Sequence, residues 1–495
     1  MKVISTRDKS AGIGALSAVL KGISDDGGLF VPSSFPILDI DEMIGCSGYP
    51  ELAAKVLSKF IDMDEPELKA LTEEAYSSFD DPAVAPLKDL GTAQVLELWH
   101  GPTLAFKDMA LQVLPRLMSK ALDRQNEIKN IMILTATSGD TGKAALEGFC
   151  DVPRTAIVVY YPNSGVARLQ QLQMETQEGM NTCVSSVDGN FDDAQTGVKE
   201  LFACPEFRKK MLGYGYSLSS ANSINFGRLV PQVAYYVHAY ADLVKRGLIE
   251  KGESINICVP TGNFGNILAA YYAGIMGIPV KTLICASNKN KILTDFFNTG
   301  VYDVNREFYK TMSPSMDILI SSNLERLLFE MLGRDDEALR GIMADLKQTG
   351  RFEMPKEAID GLKISFYADY ATEEDTAASI KEEFDENGYL MDPHTAVAMH
   401  VYRKYAEKTG DDTYTVVAST ANPYKFTQDV LKAVSGEDAP EAFGAAERLS
   451  EYTGTKVPSQ ILALKTKPVL HNRFARKGEL GDIALKFAGG LNGRG

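Results

Sequence analysis

Cysteine is scarce and scattered. Cys46, Cys150, Cys183, Cys204, Cys258 and Cys285 lie far apart and form no Cys-x-x-Cys pair. That argues against a disulfide scaffold or a structural zinc site and fits a reducing compartment. Histidine is thin as well, and the five present show no metal-ligand spacing. Positive charge is in deficit, with a net charge of −15, which argues against a nucleic-acid partner because such a partner needs a basic face. No apolar run approaches membrane-spanning length, and residues 1–8 (MKVISTRD) lack the apolar region of a signal peptide. A cytoplasmic protein without a membrane partner is expected. Low-complexity tracts, internal repeats and long linkers are missing too.

What is present is the make-up of a globular chain: 45% hydrophobic and 24% charged residues, in 495 residues that can bury a large core without staples. Residues 1–92 read as a mainly helical N-terminal domain, with residues 25–32 (DDGGLFVP) turning into a short strand. From residue 129 the pattern becomes strand, glycine-bearing loop, helix, repeatedly. Strands are expected at 130–135, 155–161, 183–187, 254–259, 279–286 and 414–418, and helices at 166–177, from 191, and at 226–245 with Pro231 in an early turn, where proline is most tolerable. Short apolar strands alternating with helices predict mostly parallel sheets covered on both faces. Ligands in such sheets sit beyond the C-terminal strand ends, where the glycine loops fall. The division expected is a smaller α/β lobe at 129–225, a large domain at 93–128 and 226–432, and a C-terminal lobe and tail at 433–495 to which no chemistry is assigned.

The most informative stretch is residues 98–108 (LWHGPTLAFKD). Lys107 follows the turn-forming Gly101-Pro102-Thr103 and a short apolar run, at the start of an amphipathic helix. Apolar residues then recur at Met109, Ala110, Val113, Leu114, Leu117 and Met118, and Pro115 is expected to kink that helix or end its first part. A lysine on the inner edge is costly to bury as an ammonium ion, so it is paired, neutral or covalently used. A Schiff base with pyridoxal phosphate meets the third condition. A surface lysine in a first helical turn, with Asp108 as a dipole-favoured acid, accounts for the same residues.

Residues 261–266 (TGNFGN) join a strand to a helix; the glycines permit close approach, and the helix N-terminus offers unpaired N–H groups to a phosphate ester. The spacing is not the dinucleotide fingerprint, and an ordinary glycine-punctuated turn fits equally. Residues 135–143 (TATSGDTGK) are not a nucleotide-binding P-loop, because only two residues separate the glycines and Ala144 stands where the magnesium-binding hydroxyl belongs. Their hydroxyls and N–H groups suit a carboxylate or a phosphate, and a helix start capped by Thr141 or Asp140 is the plainer alternative. Residues 219–225 (SSANSIN) precede Arg228, which either forks onto a phosphate or pairs with a surface acid. Residues 419–423 (STANP) follow a strand, where a hydroxyl can face a pyridine nitrogen without protonating it, or cap a helix.

Taken together and in order, these segments resemble the threonine synthases, in the longer form with an extra N-terminal domain. The resemblance covers nearly the whole chain: Ser5-Thr6-Arg7, residues 26–32 (DGGLFVP), 100–108, 135–142, 161–166 (YPNSGV), 189–195 (GNFDDAQ), 220–225 and 261–266. It implies a two-lobed pyridoxal-phosphate fold of the tryptophan-synthase β-like type (fold type II). It implies that Lys107 carries the cofactor as a Schiff base and serves as the catalytic proton shuttle. Gly262, Asn263, Phe264, Gly265 and Asn266 would cradle the cofactor phosphate, and Thr420 would face the pyridine nitrogen. Ser138, Gly139, Asp140 and Thr141, with Asn222, Ser223 and Arg228, become candidates for holding the substrate. The reaction implied converts O-phospho-L-homoserine and water to L-threonine and phosphate, with a monomer or loose dimer expected and no metal. One departure is Asn422, where the family often has histidine. The rival readings are a pyridoxal-phosphate dehydratase or phospho-lyase that stops at elimination, and a non-catalytic binder of amino acid or phosphate.

Overall fold

In the computed structural model the structure describes residues 1–10, 12–137, 139–164, 166–438 and 441–492. Two parallel sheets dominate. The larger orders its strands Phe366–Tyr370, Val280–Ser287, Ile255–Pro260, Thr415–Ser419, Gln94–Glu97 and Leu87–Asp89, all neighbours parallel except the last, antiparallel pair. The smaller, wholly parallel, orders Arg473–Ala475, Thr182–Val187, Thr155–Pro162, Asn130–Ala136 and Tyr216–Ser219. Every residue of Ile255–Pro260 and of Thr155–Pro162 is buried, as helices on both faces require, and this is why those stretches read as mostly apolar runs.

The N-terminal segment is helical over Ala15–Lys21, Ile40–Gly45, Tyr49–Ser58 and Glu65–Tyr76, and adds a small antiparallel sheet of Ile13–Gly14, Lys2–Ser5 and Phe30–Pro32. Its buried side chains (Leu52, Leu57, Phe60, Leu71) belong to the same hydrophobic cluster as Leu229 and Val233 of the helix Phe226–Lys245 and Ile257 of the large sheet. Tyr49 meets His238 of the long helix Phe226–Lys245 edge to face, ring centroids 5.2 Å apart. Each such fully buried side chain contributes about 1.5–3 kcal/mol, so the segment is held as firmly as any internal layer.

The stretch expected as a C-terminal lobe is shared between the two sheets. Ala442–Thr453 packs its Ala445, Ala446 and Leu449 into the cluster behind the large sheet. Arg473–Ala475 becomes an edge strand of the small one, and Leu480–Asn492 covers that sheet through Leu480, Ala484 and Ala488. The strands Gln94–Glu97, Tyr216–Ser219 and Phe366–Tyr370 have no apolar run long enough to announce them; pairing partners supplied by the sheet decide their state. No helix among the described residues is long and apolar enough to cross a membrane.

Candidate active site

The segment after Gln94–Glu97 leaves the C-terminal edge of the large sheet and runs beside the segment after Thr415–Ser419. Ala105 and Ala421 form an antiparallel bridge: Phe106 N–H donates to the Thr420 carbonyl at 2.8 Å, and Asn422 N–H to the Leu104 carbonyl at 3.0 Å. Leu104 is left-handed (φ 62°), a strained turn for a branched side chain, and it aims the next three residues inward. The helix then splits as Pro115 demands, into Asp108–Leu111 and Leu114–Arg124. Lys107 caps the first piece and is buried. Asp108 folds back over the turn and accepts from Thr103 N–H at 2.8 Å and Thr103 Oγ1 at 2.7 Å. It is therefore a clamp on the turn and not a solvent-facing helix-start acid, and burial raises its pKa to about 7.

Around the Lys107 amine stand Ser315 Oγ at 3.4 Å and Asp140 Oδ2 at 3.7 Å, with the Phe106 ring centroid 5.0 Å away. Burial lowers the proton affinity of Lys107; Asp140 opposes this, and the Lys425 and Arg228 cations add to it. Asp140 opens the small-lobe helix Asp140–Phe149. Burial would raise its pKa, but Lys425 and Lys107 outweigh that and hold the carboxyl well below the usual carboxylate range. As an ionised acceptor its side chain is ill-suited to a substrate carboxylate or phosphate. Nor does it cap its helix. Thr137 Oγ1 does that, accepting from Gly139 N–H at 3.1 Å and Gly142 N–H at 2.9 Å. Gly139 takes φ 154°, Thr141 is half-buried in the first turn, and Ser138 lies outside the described residues.

Opposite lies the loop between Ile255–Pro260 and Gly265–Ile275. Its carbonyls are taken: Gly262 by Ser321 Oγ at 2.7 Å, Asn263 by Asn323 N–H at 3.1 Å and Nδ2 at 2.8 Å. The backbone N–H groups of residues 262–266 have no partner among the described residues. Phe264, left-handed at φ 64°, turns them into a concave nest at a helix N-terminus, the setting for an anionic ester. Asn266 accepts from Tyr235 OH at 2.8 Å and from Tyr236 OH, which leaves its buried Nδ2 unpartnered. A Cβ on Gly262 would collide with the Ser315 carbonyl oxygen, so the loop and Ser315 are packed backbone to backbone.

The remaining candidates lie on two other segments, residues 222–228 and 420–422. Asn222, exposed, accepts from Thr135 Oγ1 at 3.2 Å, and Ser223 Oγ lies 3.3 Å from Ser322 Oγ. Arg228 is buried, bonds the Ala221 carbonyl through Nη1 at 2.7 Å, and keeps a buried Nε with no partner among the described residues. Burial lowers its pKa to about 10. Thr420 is buried, and its hydroxyl has no partner among the described residues. Asn422 caps the short turn Pro423–Phe426, accepting from Tyr424 N–H at 3.0 Å, which is the local work that this side chain performs.

Sequence reasoning missed Ser315, His394, Asp392 and Lys425. His394 Nε2 accepts from Ser315 N–H at 3.1 Å while Nδ1 meets Asp392 Oδ1 at 2.7 Å, which orients Ser315 toward Lys107. Residues 392–395 (DPHT) carry a readable signal, since aspartate before proline is a helix N-cap, but nothing local ties that cap to Lys107.

His100 lies in the same segment as Lys107, seven residues before it. It bridges Asp80 through Nδ1 at 2.7 Å and Glu97 through Nε2 at 3.0 Å. Burial lowers its pKa, but the two carboxylates win and raise it to about 9. A proton held more tightly in the folded chain stabilises the fold fully below the ordinary histidine pKa, and that contribution is lost as pH rises through about 9. His100→Gln is therefore expected to cost about 1–2 kcal/mol near neutral or mildly acidic pH and nearly nothing well above that range. Urea unfolding midpoints of both proteins across that range check it; a pH-independent difference would rule it out.

Two family models match the chain: "Threonine synthase N terminus" over residues 2–76 and "Threonine synthase, C-terminal" over residues 395–468. Threonine synthase-like 1 of Homo sapiens is 41% identical over 440 residues, and the match covers 86% of this chain but 58% of that longer protein. Threonine synthase of Schizosaccharomyces pombe is 37% identical, with 87% of this chain and 89% of that protein covered. Among solved structures, PLP-bound threonine synthase from Brucella melitensis superposes with a TM-score of 0.88 at 36% identity and covers 99% of both chains.

Proposed function

Since the chain belongs to the threonine synthase family, we propose that it binds pyridoxal phosphate on Lys107 and converts O-phospho-L-homoserine and water to L-threonine and phosphate. The observation that carries this reading is the buried amine of Lys107, linked through Ser315 to the loop at residues 262–266 whose five backbone N–H groups have no partner among the described residues. The donor set fits the cofactor. The nest and the orphaned Asn266 Nδ2 suit a phosphate ester, a lysine of lowered proton affinity suits an aldehyde, and the unpartnered Thr420 hydroxyl suits a neutral ring nitrogen. When bound, pyridoxal phosphate supplies an electron sink for the pair left at the substrate Cα.

The protein's own part is positioning and proton transfer. The Lys107 amine takes the Cα proton and, within reach of the neighbouring carbons, carries protons to and from Cβ and Cγ as phosphate leaves and water adds. The first-turn N–H groups of Asp140 and Thr141, with Asn222, Ser223 and the Nε of Arg228, which has no partner among the described residues, hold the substrate's carboxylate and phosphate. Asp140, already ion-paired, does not.

Product analysis tests the reading. Purified protein mixed with O-phospho-L-homoserine is expected to release phosphate and threonine in equal amounts. Phosphate with a keto acid assigns the chain to elimination alone. Neither product, from protein that takes up no pyridoxal phosphate, refutes the proposal.

A further inference from the structure

Asp140 has two buried ammonium neighbours. Lys425 Nζ stands 3.0 Å from Oδ1 and donates at 2.8 Å to the Thr103 carbonyl; Lys107 Nζ stands 3.7 Å from Oδ2. Gln170 Nε2 completes the carboxylate's contacts at 3.1 Å. One carboxylate cannot balance two ammonium ions where water is shut out, so one lysine is better accommodated without its proton. The geometry selects which. Lys425 is the nearer, its side chain is 2% exposed, and its second bond grips the turn that leads into Lys107. Beyond Asp140, the Lys107 amine has Ser315 Oγ at 3.4 Å as its polar contact among the described residues.

The other charged groups leave that choice unchanged. Arg228 faces Lys107 with a further positive charge, and Asp108 is committed to Thr103. His394 faces Asp140, but its ring nitrogens are engaged by the Ser315 N–H and by Asp392.

We propose that Lys425 is the resident counter-ion of Asp140, which releases Lys107 from that role and leaves its amine uncharged for covalent use. Lys425 is a positioning residue, acting on Lys107 through Asp140 and through the turn at Thr103. The proposal rests on the reading of Lys107 as the reacting amine. The lowered proton affinity of Lys107 and the strongly acidic Asp140 both accord with it.

The test is the pH dependence of Lys107 acetylation, by competitive labelling with acetic anhydride and mass spectrometry of the Lys107 peptide. The full chain is used, freed of any bound aldehyde with hydroxylamine. In Lys425→Met, Asp140 turns to Lys107, and the Lys107 midpoint is expected to rise by about 1–2 pH units. Asp140→Asn is expected to lower it, the double variant to return it close to wild type, and Lys425→Arg to leave it there.

An unmoved midpoint in folded Lys425→Met overturns the proposal. Should that variant not fold, Asp140→Asn is compared with the charge-neutral double variant. A lower midpoint in Asp140→Asn, which keeps Lys425, supports the proposal, and equal midpoints overturn it. A shift that depends on Lys425 in protein that takes up no pyridoxal phosphate sinks the functional reading alone; uptake without such a shift sinks this one alone.

Discussion

Lys107→Ala is expected to cut turnover of O-phospho-L-homoserine by about a thousandfold or more while the chain stays folded. The amine has two duties, holding the cofactor and moving protons at Cα, and no neighbour can take over both. Ser315 offers a hydroxyl that is a poor base, and Lys425 is engaged by Asp140 and the Thr103 carbonyl. Stability should scarcely change. Removing a buried ammonium usually strands its partner, but Asp140 keeps Lys425 at 3.0 Å, so no unpaired buried charge is created. The thermal midpoint is accordingly expected within about 3 °C of wild type. Phosphate release and a melting curve on one preparation check both halves. Full turnover in the variant would remove Lys107 from the mechanism.

The second large effect is expected at a glycine that no motif marks. Gly148 lies near the end of Asp140–Phe149, where that helix crosses Asp108–Leu111. A Cβ there would sit inside the Leu111 carbonyl oxygen, and because that oxygen is backbone, no rotamer relieves the clash. Gly148→Ala is expected to cost about 2–3 kcal/mol. It should also reduce activity about tenfold or more in protein that remains folded, because Lys107 and Asp140 stand at the starts of the two helices being pushed apart. Urea unfolding and turnover measured well below the unfolding transition separate the two losses. Wild-type values for both would mean the helices part at no cost.

How legible the site was depends on how local each part is. Lys107 was readable because a Gly-Pro-Thr turn, a short apolar run and a helical repeat surround it within a dozen residues. The nest at 262–266 was readable because a strand, two glycines and a helix come one directly after another. Asp140 was placed in the site as a candidate substrate holder: in sequence it sits among hydroxyls and glycines like an anion-binding loop, while in space its carboxylate lies between two lysines. Lys425 gave no sign, since a lysine after a proline turn is ordinarily solvated, and only the bridge between Ala105 and Ala421 brings its segment against Thr103. The last strand, Arg473–Ala475, is three residues with two exposed and becomes a strand only because Thr182–Val187 offers it an edge.

The amino-acid sequence by itself determined whatever a short window of backbone must satisfy: buried apolar strands, helices that start at Asp, Asn or Pro, a split at Pro115, and glycines where a loop turns tightly into a helix. It also determined the family, because ordered motifs persist along the chain. Only the tertiary structure decided which charged groups share a buried carboxylate, which hydroxyl meets the amine, and which sheet the C-terminal residues join. The physical reason is that propensity and hydrophobic period act within one or two turns of chain. Ion pairing in a low dielectric depends on distances of a few ångströms between segments hundreds of residues apart, and packing alone sets those distances.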